Sequence, residues 1–361
     1  MNKILYVGWV GYNNLGDELM FDLFKEQLSL LGKEYKIDYV NCEKRYLDNA
    51  FCSEYDLIVL GGGSILNGPK FTISPIIIDF LYQALMLDKK IMMWGTGIDW
   101  LAASTISALE KKQEITLAIP ESLRMKIKTV FSESVWSGVR GPLTLEVFNR
   151  IGVSKHMKIC GDSAFLLDSG PKSATVINQN QQTIGVNWGT SFDYVYGKNE
   201  QHVEDQLASA LQELIRQGYK VYFYIVWKGD IDAVKRLYHK VNRNESTVLD
   251  TKLYDRHDLM DVMKQFAFTI NFKLHANYLS LAAQVPFIAL GYRFKIYDFV
   301  KSVDLEQQLV AMDGDQIYEE ILNAQANIMA DRDSILTTME KYRTLYAKRL
   351  QEPFAANLYL E

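Results

Sequence analysis

Residues 268–291 read FTINFKLHANYLSLAAQVPFIALG: a short apolar run (Phe268–Asn271), a helix-length stretch near Leu274–Gln284, and a second apolar run (Pro286–Gly291). Two buried strands joined by a helix of this length form a βαβ unit, because parallel neighbours need a crossover rather than a hairpin. Such a unit demands a parallel sheet with helices on its faces, which places the chain in the α/β class.

The same alternation extends upstream. Apolar runs at Thr183–Asn187, Val221–Val226 and Thr247–Leu249 alternate with helical stretches near Glu200–Gln217, Ile231–Val241 and Leu259–Phe266. Before them stands another series: strands at Ile4–Gly8, Ile37–Val40, Leu57–Leu60, Ile91–Trp94, Val135–Val139 and Met157–Cys160, with helices such as Asp17–Leu31 and Leu143–Ile151. Between the two series, Asp168–Gln182 (DSGPKSATVINQNQQ) is polar, contains Gly and Pro, and has no periodicity, the composition of a linker. The expected organisation is therefore two Rossmann-like, doubly wound domains. They span residues 1–170 and 183–312, joined by a linker at 171–182 and followed by helices over 313–361 that cross back to the first domain.

Composition agrees with this and removes other classes. At 361 residues the chain suits two domains of roughly 100–200 residues. Hydrophobic residues make up 48% and charged residues 23%, as in ordinary folded proteins. Lys and Arg number 39 against 44 Asp and Glu, a net charge of −5, so nucleic acid is not an expected partner. Three cysteines, Cys42, Cys52 and Cys160, make no disulfide framework or zinc-ligand spacing and fit a reducing cytoplasm. The opening MNKILYVGW reads as a first strand rather than a secretion signal. Ile73–Leu87, interrupted by Pro75, Asp79 and Gln83, falls short of the roughly 18 residues that span a bilayer.

In doubly wound sheets ligands bind beyond the carboxyl ends of the strands, so residues directly after each strand are the candidates. In the first domain these include Asn14, Asp17, Gly62, Gly63, Ser64, Gly95, Thr96, Arg140 and Asp162; in the second, Asn187, Trp188, Lys228, Lys273, His275 and Arg293. Glycines there admit close backbone approach, and helix N-termini hold anions. Each has a plainer alternative. The glycine loops serve equally as tight strand-to-helix turns, and Asp17 and Asp162 as caps. Arg140 serves as a surface partner of Glu146, and His275 as a capping or packed imidazole. His257 is placed to reach the cleft, whereas His156, His202 and His239 lie in polar, solvated contexts. Aromatics reach 12%, and five of them, Trp9, Tyr12, Trp188, Trp227 and Tyr292, fall at strand ends where rings suit sugar stacking.

Several segments together resemble the polysaccharide pyruvyl transferase family: GYNNLGDELM (11–20), VLGGGSIL (59–66), GTGID (95–99), VRGPLTLEVFNRIGV (139–153), CGDSAFLL (160–167) and NFKLHANYLSLAAQVPFIALGY (271–292). The resemblance implies a two-domain fold similar to the GT-B glycosyltransferases, with the active site in the interdomain cleft. It also implies phosphoenolpyruvate as donor and a saccharide acceptor, often lipid-linked, of a growing cell-surface polysaccharide. No metal or organic cofactor is implied. The family arginine of the Val-Arg segment falls on Arg140, as ligand of the donor carboxylate or phosphate. The family histidine falls on His275, as general acid or base.

Two positions depart from the pattern. Lys273 stands where the family has Arg, which keeps the charge and loses the bidentate fork. Asn187-Trp188 stands where a Ser-x-Arg is usual, and Lys228, Lys273 and Arg293 are the expected compensating cations. Competing readings are a GT-B glycosyltransferase using a nucleotide sugar and a non-catalytic saccharide-binding homologue. The expected location is cytoplasmic, with peripheral contact at the inner face of the membrane. Lys341, Arg343, Lys348 and Arg349 are candidates to meet anionic headgroups, unless they are simply solvated.

Overall fold

The structure is a computed structural model describing residues 1–12, 14–48, 51–153, 157–168 and 182–360. The chain divides into two compact units, Met1–Leu166 with Thr344–Glu361, and Leu167–Arg343. Unit 1 carries β1 (Asn2–Gly8), α1 (Leu15–Ser29), β2 (Tyr35–Asn41), α2 (Lys44–Leu47), β3 (Leu57–Leu60), α3 (Pro75–Met86), β4 (Lys90–Thr96), α4 (Ala103–Glu110), α5 (Glu121–Glu133), β5 (Trp136–Val139), α6 (Pro142–Ile151) and β6 (Lys158–Ile159). Unit 2 carries β7 (Thr183–Asn187), α7 (Glu200–Arg216), β8 (Lys220–Tyr224), α8 (Ile231–Val241), β9 (Thr247–Leu249), α9 (Arg256–Met263), β10 (Thr269–Asn271), α10 (Leu274–Ala282), β11 (Phe287–Gly291), α11 (Phe294–Ser302), β12 (Leu309–Ala311) and the start of α12 (Ile317–Ala355).

Each unit holds a six-stranded parallel sheet, ordered β2-β1-β3-β4-β5-β6 in the first and β12-β11-β10-β7-β8-β9 in the second. The doubly wound architecture expected from the sequence is thus present in both. The strand order reverses between β1 and β3 and between β7 and β10, and crevices for ligands open beside such reversals.

Burial explains the pattern. All four residues of β3 (LIVL) are buried, as a central parallel strand covered on both faces requires, each side chain contributing roughly 1.5–3 kcal/mol. The edge strand β2 is mostly half-exposed. Local signals set the helix ends: Pro142 occupies the first turn of α6 and Gly152 closes it at φ 88°. Asn199 and Asp255 cap α7 and α9 through their side chains.

The sequence reading differs from the structure at several edges. β8 stops at Tyr224 rather than Val226, because its partner β7 ends at Asn187, directly opposite. The apolar Ile73–Leu87 stretch contains α3, and a sixth strand, β12, completes the second sheet beside β11. The proposed linker lies outside the described residues except for its ends, Asp168 and Gln182; His156 lies outside them as well.

The end of α12 packs within unit 1. Trp94 Nε1 donates to the Leu350 carbonyl at 2.9 Å, and Phe354 stands against Phe24 and Trp94. Arg349 donates to the Ile159 carbonyl at 2.6 Å, and Arg343 pairs with Glu340 at 2.9 Å. Both guanidiniums therefore hold protein partners rather than forming an open basic face. No helix among the described residues is long and apolar enough to cross a membrane.

Candidate active site

In unit 2 the switch between β7 and β10 is closed by one amide. Asn187, last residue of β7, accepts the Lys273 backbone N–H at 3.0 Å and donates to the Tyr224 carbonyl at 3.2 Å. Beneath it, the Tyr224 hydroxyl donates to Asn271 Oδ1 at 2.6 Å. Asn271 Nδ2 in turn donates to Thr269 Oγ1 at 2.9 Å and Ser280 Oγ at 3.1 Å. Burial drives the Tyr224 phenol's pKa upward, so it remains a neutral donor. Asn277 Nδ2 donates to the Lys273 carbonyl at 3.3 Å, fixing the first turn of α10. This fully satisfied polar cluster rigidifies the segment that presents His275, which is half-buried with its ring 5.9 Å from that of Tyr278.

Lys273 is held rather than loose. Its ammonium donates to the Thr190 carbonyl at 2.7 Å, lies 3.1 Å from Asp230 Oδ1, and sits over the rings of Trp227 and Phe272. Asp230 is fully buried and also accepts the Thr190 N–H at 3.1 Å; its Oδ2 has no hydrogen-bond partner among the described residues. Burial pushes the Asp230 carboxyl up, against the opposing pull of Lys273 and the Thr190 N–H. A Cβ on Gly189 would fall 2.3 Å from Asp230 Oδ1, so that position must be glycine. The compensating cation expected at Lys273 is thus already shared with a carboxylate.

Glu200 anchors the loop above. It accepts from Thr190 Oγ1 at 2.8 Å and from the N–H groups of Ser191 at 2.5 Å and Asp193 at 3.2 Å. Phe192 and Asp193 are thereby held at φ 54° and 57°, a left-handed conformation that costs energy in residues with side chains. Lys228 is exposed just before α8, and Arg293 is the N-cap residue of α11 with its guanidinium 5.1 Å from the Tyr292 ring.

Two rim aromatics are corrected here. Trp188 has 0% exposure, and its indole N–H donates to the buried Glu204 at 3.0 Å. Tyr292 is buried and stacks on Phe272 at 4.3 Å. Neither offers a ring face to a sugar, because both rings are buried against Phe272. His257 is exposed and accepts from Arg256 at 3.2 Å.

In unit 1, Arg140 points into the protein with 1% exposure. Its Nη2 donates to Ser64 Oγ at 2.8 Å and to the Ile98 carbonyl at 3.4 Å, while Nη1 stands 3.7 Å from the buried Asp162 carboxylate. A Cβ on Gly97 would lie 3.0 Å from its Nε. The guanidinium thus ties together the segments that follow β3, β4, β5 and β6. It is neither a surface partner of Glu146, which pairs with Arg150 instead, nor an open anion ligand.

The glycine turn after β3 is filled from within as well. A Cβ on Gly61 would meet the Tyr6 hydroxyl at 2.2 Å, one on Gly62 the Met20 sulfur at 2.6 Å, and one on Gly63 the Met20 methyl at 3.2 Å. Gly95 packs against the Gly161 carbonyl, and Thr96 is fully buried with its hydroxyl unpartnered among the described residues. At these glycines the space a side chain would need is already taken by the protein's own packing. Asn14 caps α1 by accepting the Gly16 N–H at 3.1 Å, and Asp17 lies half-buried in the first turn of that helix.

Asp230 belongs to the strand-end segment that also supplies Lys228, but the sequence assigns it no role; Glu200 was missed. The signal for Asp230 is its place between a strand end and α8 with a glycine on each facing loop, Gly189 and Gly229. Glu200 carried no signal beyond its position at a helix start. Among the described residues no group of three or more His, Cys, Asp or Glu side chains is placed to hold a metal ion.

Two parallel six-stranded sheets with these switch points define the fold of the GT-B glycosyltransferases and related epimerases. Solved structures agree over the whole chain. S. aureus MnaA, solved with UDP, matches at TM-score 0.61 with 12% identity over 100% of this chain and 98% of that one. A putative UDP-N-acetylglucosamine 2-epimerase from Listeria monocytogenes matches at 0.57 with 9% identity (99% and 97% covered). A UDP-glucosyltransferase from Polygonum tinctorium matches at 0.57 with 10% identity (97% of each). At such identity the likeness concerns the fold alone. No curated protein matches the sequence. The family profile described as polysaccharide pyruvyl transferase matches residues 14–293, and the chain belongs to that family.

Proposed function

We propose that this chain transfers the pyruvyl unit of phosphoenolpyruvate to a sugar of a cell-surface polysaccharide precursor, forming a pyruvate ketal and releasing phosphate. The observation that carries the reading is His275, set in the first turn of α10 beside the β7/β10 switch, in a chain of this family.

His275 protonates the methylene carbon of the donor, and positive charge develops at the adjacent carbon. A sugar hydroxyl adds there and returns its proton to the imidazole; a second hydroxyl then takes the place of phosphate as the C–O bond breaks, and its proton leaves on the departing phosphate. An imidazole is suited to both transfers near neutral pH. A helix N-terminus disfavours imidazolium, and the donor phosphate, bound close by, offsets that. Lys228 and Arg293 meet the donor's negative charge, with Lys273 ordering the loop between them. Arg140 acts at a distance, as a positioning residue for Ser64 and the strand ends of unit 1. The reaction consumes no redox equivalent and calls for no cofactor. A lipid-linked acceptor would bring the enzyme to the inner face of the membrane.

One observation favours a second reading, use of a nucleotide sugar: MnaA was solved with UDP, and the Polygonum enzyme is a UDP-glucosyltransferase. Melting curves separate the two. Phosphoenolpyruvate should raise the melting temperature while UDP-sugars leave it unchanged; the reverse result replaces the reading.

A further inference from the structure

Of the five strand-end aromatics, Trp9 and Tyr12 remain in solvent, each with 39% exposure. Their rings stack on each other, centroids 5.3 Å apart and 27° between planes. The loop that carries them is fixed from both sides. The Val10 carbonyl accepts from the buried Asn41 amide at 2.6 Å, and the Gly11 N–H, at φ +97°, donates to Glu18 at 2.8 Å. Val10 itself is buried, so the loop is anchored between the two exposed rings. The Tyr12 hydroxyl donates to one oxygen of Glu43, and Arg45 Nε lies 2.9 Å from the other. The pair sits at the carboxyl ends of β1 and β2, next to the β1/β3 switch.

We propose that Trp9 and Tyr12 form the platform on which the saccharide acceptor lies, with Glu43 and Arg45 reading its hydroxyls. Stacking leaves each ring one outer face, and an aromatic face held rigid in this way meets the C–H face of a pyranose at small entropic cost. An ionised carboxylate has about four lone-pair sites, so Glu43 keeps accepting capacity beside its two protein partners. An outer ring face edged by a carboxylate and a guanidinium matches a neutral sugar, apolar on its face and polar at its rim. This assignment rests on the saccharide-acceptor reading above, and it requires nothing of the donor.

The test is titration of the full chain, labelled at its tryptophan indoles, with the methyl β-glycosides of glucose, galactose, mannose, N-acetylglucosamine and N-acetylmannosamine at high millimolar concentration. At least one should shift the Trp9 indole N–H resonance saturably, Tyr12→Ala should weaken that binding roughly tenfold, and His275→Gln should leave it intact. Silence of Trp9 toward all five overturns the platform, as does a response to anionic phospholipid vesicles but not to sugars. If transfer proceeds with an unchanged acceptor KM in Trp9→Ala, the platform fails while the proposed reaction stands. If Trp9 binds sugar but no phosphate is released, the platform stands and the reaction fails.

Discussion

The Arg140 guanidinium and the Asp162 carboxylate lie 3.7 Å apart in the interior of unit 1, with side-chain exposures of 1% and 0%. Removing one member of such a pair leaves an uncompensated buried charge, which costs about 3–5 kcal/mol. Arg140→Ala should therefore lower the unfolding free energy by that amount, and denaturant titration measures it. A variant as stable as the parent yet inactive would return Arg140 to the donor-binding role that the family resemblance implies.

Asp230 carries the opposite sign. Its carboxyl is pushed up by burial, so in the folded state ionisation is unfavourable relative to the unfolded chain. Stability from the neutral acid is fully present below about pH 4, the unfolded value, and is lost as pH rises through the raised folded one. Asp230→Asn keeps an acceptor for the Thr190 N–H and removes the charge. Its melting temperature should gain on the parent as pH rises above about 4, while its KM for phosphoenolpyruvate rises because Lys273 is no longer oriented. Melting curves across pH with parallel kinetics check both; a gap constant with pH contradicts the account.

Glu200 holds three donors of the strained loop after β7. Glu200→Ala should cost about 2–4 kcal/mol, since hydrogen bonds to charged groups contribute roughly 1.5–3 each and water replaces part of the loss. Amide exchange should accelerate at Ser191 and Asp193. Protection unchanged at both amides would mean that another contact fixes the loop.

How much of this was legible in the sequence varies with burial. Strands such as Leu57–Leu60 read correctly because a central parallel strand is apolar throughout, whereas Leu309–Ala311 is a three-residue edge strand, too short an apolar run to be told from a helix segment by pattern. The rim positions were legible, but not the direction each side chain takes from them. Arg140 turns inward because Asp162, following the neighbouring strand, and Ser64, following β3, await it; that partnership depends on strand order, which no local pattern encodes. Trp188 is buried for the same kind of reason, its acceptor Glu204 lying on α7. Lys273 followed its strand as expected, yet only tertiary structure brings Asp230 to its ammonium.

The most direct test of the central claim is saccharide-dependent release of phosphate from phosphoenolpyruvate, measured for the parent and for His275→Ala on a panel of lipid-linked and nucleotide-linked saccharides. The account predicts release by the parent, loss of at least about a hundredfold in the variant, and a melting temperature that does not change. Normal turnover in His275→Ala, or consumption of UDP-sugar in place of phosphoenolpyruvate, would contradict it.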